Sequence, residues 1–230
     1  MIAITGDTHG DIRRFDASLA KKLKSGDTLL VCGDFGFLWE DGEEEQKLLA
    51  KLEKKKYTIA FVDGTHENFD LLNRCKEVQW CGGKAHQVAS NVYHMMRGEV
   101  FTIEGKKVFA LGGGENPDKE MYMESGKWWE CEMPTISEMR HGVENLNKVG
   151  REVDYIITHE PPISIRNMLD KKGNYINALE AFLDELSKEV KYKKWFFGCT
   201  HIDRKVSGKY FSVFREVLSA EPIESKRRFR

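Results

Sequence analysis

Five short apolar segments of this chain each run into a loop that carries an aspartate or a histidine. Unbroken apolar runs are typical of parallel strands covered on both faces, and open α/β sheets place their functional sites outside the carboxyl ends of such strands. The segments and loops are MIAIT before Gly6-Asp7-Thr8-His9, LLVC before Gly33-Asp34, TIAFVD before Gly64-Thr65-His66-Glu67, VDYIIT before His159-Glu160, and WFF before Gly198-Cys199-Thr200-His201. The sequence therefore predicts an α/β fold in which five strand ends meet at one site.

The side chains in these loops are of the kinds that bind metal ions. Aspartate, histidine and cysteine are ligands of first-row divalent cations. A single residue of this type at a strand end, such as Asp7, His9 or Asp34 alone, more commonly forms a turn or a cap. Five such loops in one chain instead indicate a metal centre.

Length, charge and cysteine content limit the domain organisation and the cellular compartment. The 230 residues contain no linker-like segment, which predicts one domain over residues 1–222 and a basic tail at 223–230. The 36 basic and 37 acidic residues nearly cancel, so the net charge does not support nucleic-acid binding, although it does not exclude it. The five cysteines lack a disulfide-framework spacing, the first strand begins at Met1, and no apolar stretch approaches membrane-spanning length. We therefore expect a cytoplasmic protein with no membrane partner.

Helical and strand patterns alternate in the first half of the chain, and a hairpin in the middle indicates an antiparallel section or a second sheet. The histidines outside the loops, His86, His94 and His141, are interpreted as surface or helix residues. Strands are predicted at Thr28–Cys32, Tyr57–Val62, Tyr155–Thr158 and Lys194–Phe197, hairpins at 100–111 and around Gly208, and helices after Asp11, after Glu43, after Thr135 and over 176–190.

The order of the loop motifs resembles the calcineurin-like metallophosphoesterase superfamily, in particular its bacterial-type single-domain members. The motifs here are Asp-x-His, Gly-Asp, Gly-x-His-Glu, a lone His and Gly-x-x-His, and they run from Asp7 to His201. The family pattern is D-x-H, G-D, G-N-H-[E/D], H and G-H-x-H. The resemblance implies a four-layer α/β/β/α sandwich with a two-metal site at the carboxyl ends of the strands.

The resemblance also implies which residues hold the metals, which would be manganese, iron or zinc. Asp7, His9, Asp34 and His201 would hold the first ion. Asp34 would bridge to the second ion, which His159 would also bind. A hydroxide between the two ions would attack phosphorus.

The same resemblance assigns His66 as the catalytic histidine. A histidine that titrates near neutral pH can protonate the leaving oxygen. Glu67 or Asp11 is expected to orient its ring.

Two positions depart from the family pattern at the second metal. Thr65 stands where the family has asparagine, and Cys199 stands where it has the first histidine of the last motif. A hydroxyl is a weaker donor than an amide oxygen, whereas a thiolate favours zinc or iron over manganese. Thr65 could instead close a turn, and Cys199 could be an inert buried thiol. We expect the second site to differ from the first in metal preference or occupancy.

A long irregular segment follows Gly112-Gly113-Gly114 and contains Tyr122, Trp128 and Trp129. Its layout is not that of a nucleotide P-loop. The aromatic residues either form a lid that stacks a base or sugar beside the metals or pack as a hydrophobic plug under the loop.

The predicted function is hydrolysis of a phosphoester, either a diester or a monoester, with nucleotides among the candidate substrates. The alternatives are a catalytically weak or non-hydrolytic metal-binding scaffold of the same fold and a nuclease. His66 favours the enzyme, because a scaffold has no use for a general acid.

Overall fold

The computed structural model describes residues 1–169 and 176–221, so the predicted basic tail at 223–230 lies outside the described residues. Two β-sheets form its framework. The first sheet contains β1 (Ile2–Thr5), β2 (Thr28–Cys32), β3 (Thr58–Val62), β4 (Lys76–Trp80), β5 (Gly83–Ala89), β6 (Val92–Met95) and β13 (Leu218–Ser219), in the order β13-β1-β2-β3-β6-β5-β4. The second contains β7 (Glu99–Ile103), β8 (Lys106–Leu111), β9 (Tyr155–Thr158), β10 (Lys194–Phe197), β11 (Arg204–Lys205) and β12 (Tyr210–Ser212), in the order β11-β12-β10-β9-β8-β7.

The centre of each sheet is parallel. β1, β2 and β3 pair in parallel in the first sheet, and β8, β9 and β10 do so in the second. Every residue of β1, β2 and β9 is buried, which explains their unbroken apolar sequences. The predicted hairpin is the antiparallel pair of β7 and β8, and β11 pairs antiparallel with β12 across the loop that contains Gly208.

The two sheets pack face to face, and helices cover their outer faces. Ile4, Leu30 and Val62 of the first sheet share one core with Ile157 and Phe196 of the second. The outside of the first sheet is covered by the 3-10 helices Ile12–Asp16 and Ala20–Lys22, α1 (Glu43–Glu53) and α2 (Phe69–Leu72). The outside of the second sheet is covered by α4 (Ile136–Lys148), α5 (Ile163–Leu169) and α6 (Ala178–Glu189). The remaining α-helix, α3 (Lys119–Glu124), lies in the long middle segment. This arrangement confirms the predicted four-layer sandwich.

The segment after Asp11 is not the single helix that its apolar spacing predicts. Asp11 does cap a helix, since its side chain accepts a hydrogen bond from the Arg13 backbone N–H, but that helix is of the 3-10 type and ends at Asp16. Ala17 is extended, with a ψ of 153°, and separates it from the second short helix. The apolar face is as predicted, because Phe15 and Leu23 are buried under the first sheet.

The interpretation of His94 as a surface or helix histidine is wrong. His94 lies on β6, is only 5% exposed, and its Nε2 is 3.0 Å from Oδ1 of Asp63. The Asp63 carboxylate is fully buried and also accepts hydrogen bonds from Arg97, at 2.6 and 2.9 Å. A buried carboxylate requires such partners. His86 is half-buried on β5, also outside a helix, and stacks on His94, whereas His141 lies on α4 as expected.

Among the described residues, no helix combines the length and the apolar character that a membrane crossing requires.

Candidate metal centre

The loops that follow β1, β2 and β10 adopt a backbone conformation that most side chains avoid. Asp7, His9, Asp34, Cys199 and His201 have φ values of 42°, 44°, 48°, 62° and 51°. A non-glycine residue in this left-handed region costs about 1–3 kcal/mol, and such residues cluster at functional sites. The sequence gives no sign of this strain, but the structure places it at the residues that the motifs select.

Potential metal ligands from four loops form two groups that share one carboxylate. One group consists of His9, Asp34 and His201, and the other of Asp7, Asp34 and His159; within each group the ligand atoms lie within 4.8 Å of one another. Oδ2 of Asp34 is 3.7 Å from Nε2 of His9, and its Oδ1 is 3.6 Å from Nε2 of His159. Asp34 therefore lies where one carboxylate can contact two cations.

Asp7 belongs to the second group and also lies near His201 of the first. Its Oδ1 is 3.5 Å from Nδ1 of His159, and its Oδ2 is 3.7 Å from Nε2 of His201. That Oδ2 is buried and has no hydrogen-bond partner within residues 1–169 and 176–221. A buried carboxylate oxygen without a donor is unfavourable, and a bound cation would satisfy it. His9 and His201 point their Nε2 atoms at each other across 3.2 Å, as two ligands of one ion do.

The surroundings hold these ligands in orientations that suit metal binding. Nδ1 of His159 lies 3.2 Å from the backbone oxygen of Cys32, so this nitrogen carries the hydrogen and leaves Nε2 free. At Gly64 an added Cβ would lie 2.2 Å from Oδ1 of Asp34, so only glycine allows this close approach. The Thr65 and His66 backbone N–H groups donate to the same Oδ1, at 2.8 and 3.0 Å.

The charges at the site are strongly coupled. Burial raises the pKa of Asp7 to about 7, against the opposing charge of His159. Burial lowers the pKa of His9 to about 4. Burial would lower the pKa of His159 as well, but the carboxylates of Asp34 and Asp7 outweigh it and raise this pKa to about 9. His159 and His66 hold the pKa of Asp34 well below its usual range despite burial. Asp34 and His9 are therefore in the deprotonated forms that a cation requires, whereas a cation bound to His159 would have to displace its proton.

His66 lies at the open side of this centre. Its Nδ1 is 3.2 Å from Oδ2 of Asp34 and 3.3 Å from the Thr65 hydroxyl, and its Nε2 is 3.0 Å from the Tyr122 hydroxyl. Burial lowers the pKa of His66, but the hydrogen bond to Asp34 outweighs it, so the net shift is upward.

Neither of the predicted partners of the His66 ring contacts it. The Glu67 carboxylate is buried and accepts hydrogen bonds from the backbone N–H groups of Phe35 and Gly64, at 2.6 and 2.7 Å. It thus joins the loops after β2 and β3. Asp11 bonds Arg13 instead.

The two positions that depart from the family pattern lie next to the candidate metal ligands. The Thr65 backbone N–H donates to Asp34, and the Thr65 hydroxyl lies 3.3 Å from Nδ1 of His66. The Cys199 backbone N–H donates to Asp7 at 3.1 Å, its thiol belongs to neither ligand group, and the residue lines a separate cavity of about 570 Å³ with Glu160 and Glu180. Cys199 as a whole is exposed, but burial of its thiol, followed by the charges of Glu160 and Asp7, raises the thiol pKa well above its ordinary value.

A cavity of about 530 Å³ adjoins His66, and of the three predicted aromatic residues only Tyr122 lines it. Trp129 packs against the core outside the first sheet and donates to Asp70 at 3.1 Å. The Lys119 ammonium lies 4.2 Å from the centre of the Trp128 ring. Trp129 therefore agrees with the second expectation for the aromatic residues, a hydrophobic plug under the loop, rather than with a lid over the metals.

Two of the residues that line this cavity were not among the site residues predicted from the sequence. They are Trp39, which follows Asp34 in the same loop, and Lys127, which comes just before the tryptophan pair. The aromatic character of the Asp34 loop was the available signal for Trp39.

Comparisons with known proteins agree with these motifs. A profile described as calcineurin-like phosphoesterase matches residues 1–203. No curated protein sequence matches the chain significantly. One solved chain that shows similarity is described as a 5′-nucleotidase from Staphylococcus aureus, determined at 2.05 Å in complex with α-ketoglutarate. It is 13% identical, with a TM-score of 0.48, over 93% of this chain and 48% of that chain, so this chain spans about half of its length.

The profile match covers most of the chain and includes each loop that contributes a ligand to the two groups. The chain belongs to the calcineurin-like phosphoesterase family.

Proposed function

We propose that this chain hydrolyses phosphoesters with the help of two divalent metal ions. Its family consists of divalent-metal-dependent phosphoesterases, and the described residues contain two groups of candidate ligands. The observation that carries the proposal is the position of Asp34, which belongs to both groups and lies within 3.2 Å of Nδ1 of His66. One side chain thus connects both ion sites to the proposed general acid.

The ligands we propose are those of the two groups with Asp34 shared, except that Asp7 is assigned to the first ion. The first ion would be held by Asp7, His9, Asp34 and His201, and the second by Asp34 and His159. The unpartnered Oδ2 of Asp7 and its 3.7 Å separation from Nε2 of His201 support the placement of Asp7 on the first ion.

When bound, the ions would activate a water for in-line attack and would neutralise charge on the phosphate oxygens. The chain supplies the rest of the chemistry. The backbone N–H groups of Thr65 and His66 fix one oxygen of Asp34, which keeps the carboxylate beside both ligand groups. Nε2 of His66 faces the adjoining cavity and protonates the oxygen of the departing alcohol.

Metal identity and cellular location are further parts of the proposal. With Thr65 and Cys199 in place of an amide and an imidazole, we propose that the second site binds manganese less strongly than the first and accepts zinc or iron more readily. All five cysteines are free thiols, which supports a reducing compartment such as the cytoplasm.

The substrate we propose is a phosphomonoester or phosphodiester, with nucleotides as candidates. The Trp39 and Tyr122 side chains beside His66 support a leaving group with a flat apolar face.

The test is hydrolysis of 4-nitrophenyl phosphate and bis(4-nitrophenyl) phosphate with magnesium, manganese, iron and zinc in turn. We expect metal-dependent turnover of at least one ester, abolished in Asp34→Asn and retained in Asp16→Asn, whose side chain is exposed and pairs with Lys55. If no metal supports turnover of either ester while the protein still binds metal, the non-hydrolytic scaffold is the better description.

A further inference from the structure

We propose that Tyr122 is a second catalytic residue, whose hydroxyl donates a hydrogen bond to the leaving-group oxygen beside His66. This inference rests on the phosphoesterase function proposed above. It adds a residue that lies outside the five loop motifs and on a different element, α3.

The contacts of the His66 ring place Tyr122 at the reacting end of the site. Nδ1 of His66 faces Asp34 at 3.2 Å, so only Nε2 is directed away from the metal ligands. The atom within hydrogen-bond distance of Nε2 is the Tyr122 hydroxyl oxygen, at 3.0 Å, and the two rings meet edge to face with centroids 5.5 Å apart. Any oxygen that Nε2 can protonate therefore lies close to the Tyr122 hydroxyl.

The direction of this hydrogen bond leaves the tyrosine hydrogen free. A His66 ring that is ready to act as an acid carries hydrogens on both nitrogens, so Nε2–H donates and the Tyr122 oxygen accepts. The tyrosine O–H can then donate to a third atom. Burial, followed by the charges of Asp118 and Asp34, raises the pKa of Tyr122, so its hydroxyl remains a donor at neutral pH.

The wall that carries Tyr122 is anchored to the loop after β2. Tyr122 meets the Trp39 ring edge to face at 6.1 Å, and the Tyr122 backbone oxygen accepts from the Lys127 N–H at 2.9 Å. The Lys127 ammonium pairs with Glu40 and lies 5.6 Å from the centre of the Trp39 ring. These contacts hold the hydroxyl in position before substrate arrives, as catalysis by fixed donors requires.

The step balances with Tyr122 as a donor that does not lose its proton. The bond between phosphorus and the leaving oxygen breaks, and the electron pair stays on that oxygen. The leaving oxygen replaces the Tyr122 oxygen as the acceptor of the Nε2–H of His66, takes that proton, and accepts the hydrogen bond of the Tyr122 O–H. Water provides the oxygen of the new P–O bond, and its released proton returns to His66, so ester and water yield alcohol and phosphate.

The test compares metal-loaded wild type with Tyr122→Phe on phosphate esters of 4-nitrophenol, phenol and a simple alkyl alcohol. Loss of one hydrogen bond to a developing negative charge is expected to lower kcat about 10- to 100-fold. The loss should be largest for the alkyl ester and smallest for the nitrophenyl ester, because nitrophenolate needs little stabilisation. Metal content should not change.

Tyr93→Phe is the matched control. It removes a hydroxyl on β6 whose contact is the Ser90 backbone oxygen, at 3.4 Å, and we expect wild-type rates with all three esters. In a His66→Ala background, Tyr122→Phe should cost much less than in wild type, since the two residues act on one oxygen.

An equal loss for all three esters would show that Tyr122 only shapes the cavity, and wild-type rates would remove its role altogether. Either result leaves the phosphoesterase function intact. A wild type that hydrolyses none of the esters would instead contradict the proposed function itself.

Discussion

At the scale of single residues, Asp34 belongs to both candidate ligand groups and also contacts His66, the proposed general acid. One oxygen of Asp34 accepts hydrogen bonds from two backbone N–H groups. The carboxylate as a whole lies within 3.7 Å of His9, His66 and His159. Because both proposed ions depend on it, its loss should differ in kind from the loss of a ligand of one ion.

We therefore expect Asp34→Asn to reduce the metal content at both sites and to abolish activity, and His159→Ala to remove only the second ion. The measurement is metal per chain by mass spectrometry during stepwise chelation of the wild type and each variant. Loss of the same number of ions from both variants would contradict the assignment of Asp34 as the bridge.

The residues of the two candidate ligand groups could be predicted from the sequence, but their surroundings could not. Asp7, His9 and Asp34 sit in short motifs after apolar runs, which local pattern reveals. Tyr122 and Trp39 lie 56 and 27 residues from His66 in the chain, by their numbers in the sequence, and meet it only through packing of the completed fold. The role of Glu67 was missed for the same reason, since its partners are backbone atoms.

At the scale of elements, the loop after β3 can approach the loop after β2 because Gly64 has no side chain. The Cβ of an alanine at position 64 would lie 2.2 Å from Oδ1 of Asp34 and 3.0 Å from the His159 ring. Either the loop or the carboxylate must then move.

Gly64→Ala should consequently lower metal affinity and reduce kcat by about 100-fold, the effect of an ångström-scale displacement in an active site. Gly208→Ala is the control, because nothing lies within 4 Å of its added Cβ. Titration calorimetry with manganese and steady-state kinetics test both variants. Wild-type affinity in Gly64→Ala would show that the loop adapts without cost.

Strands with an unbroken apolar run were predicted with the correct bounds, and the elements that were not have physical causes. β2, β9 and β10 have the bounds that their apolar runs indicate. Strands β4, β5 and β6 were not predicted. In β4 no residue is fully buried and polar residues outnumber apolar ones, so the apolar run that marks the parallel strands is lacking. The 3-10 helices after Asp11 share the apolar face of an α-helix, so spacing alone cannot distinguish the two.

At the scale of the whole molecule, several buried carboxylates make stability depend on pH. Glu180 at the start of α6 is 2% exposed and lies 3.0 Å from Arg166. Burial, followed by the charge of Glu160, raises the pKa of Glu180 to about 7. The folded state thus binds more protons than the unfolded state between about pH 4.5 and pH 7. Glu180 therefore destabilises the fold increasingly as pH rises through that window.

Glu180→Gln should remove this dependence while keeping the capping box with Asn177, since glutamine serves at that position. The free energy of unfolding, measured by denaturant titration from pH 5 to pH 8, is expected to rise in the variant relative to wild type as pH increases. A difference between the two proteins that stays constant over this range would contradict the assigned shift.

The left-handed backbone at Asp7, His9, Asp34 and His201 implies that folding and function make opposite demands on these positions. Glycine would relieve the strain at each of them and would also delete a proposed ligand. A laboratory selection that scores only folded protein should let these positions drift toward glycine, whereas one that scores turnover should hold them fixed. Thermostable variants chosen without an activity screen would then be the ones most prone to have lost their metals.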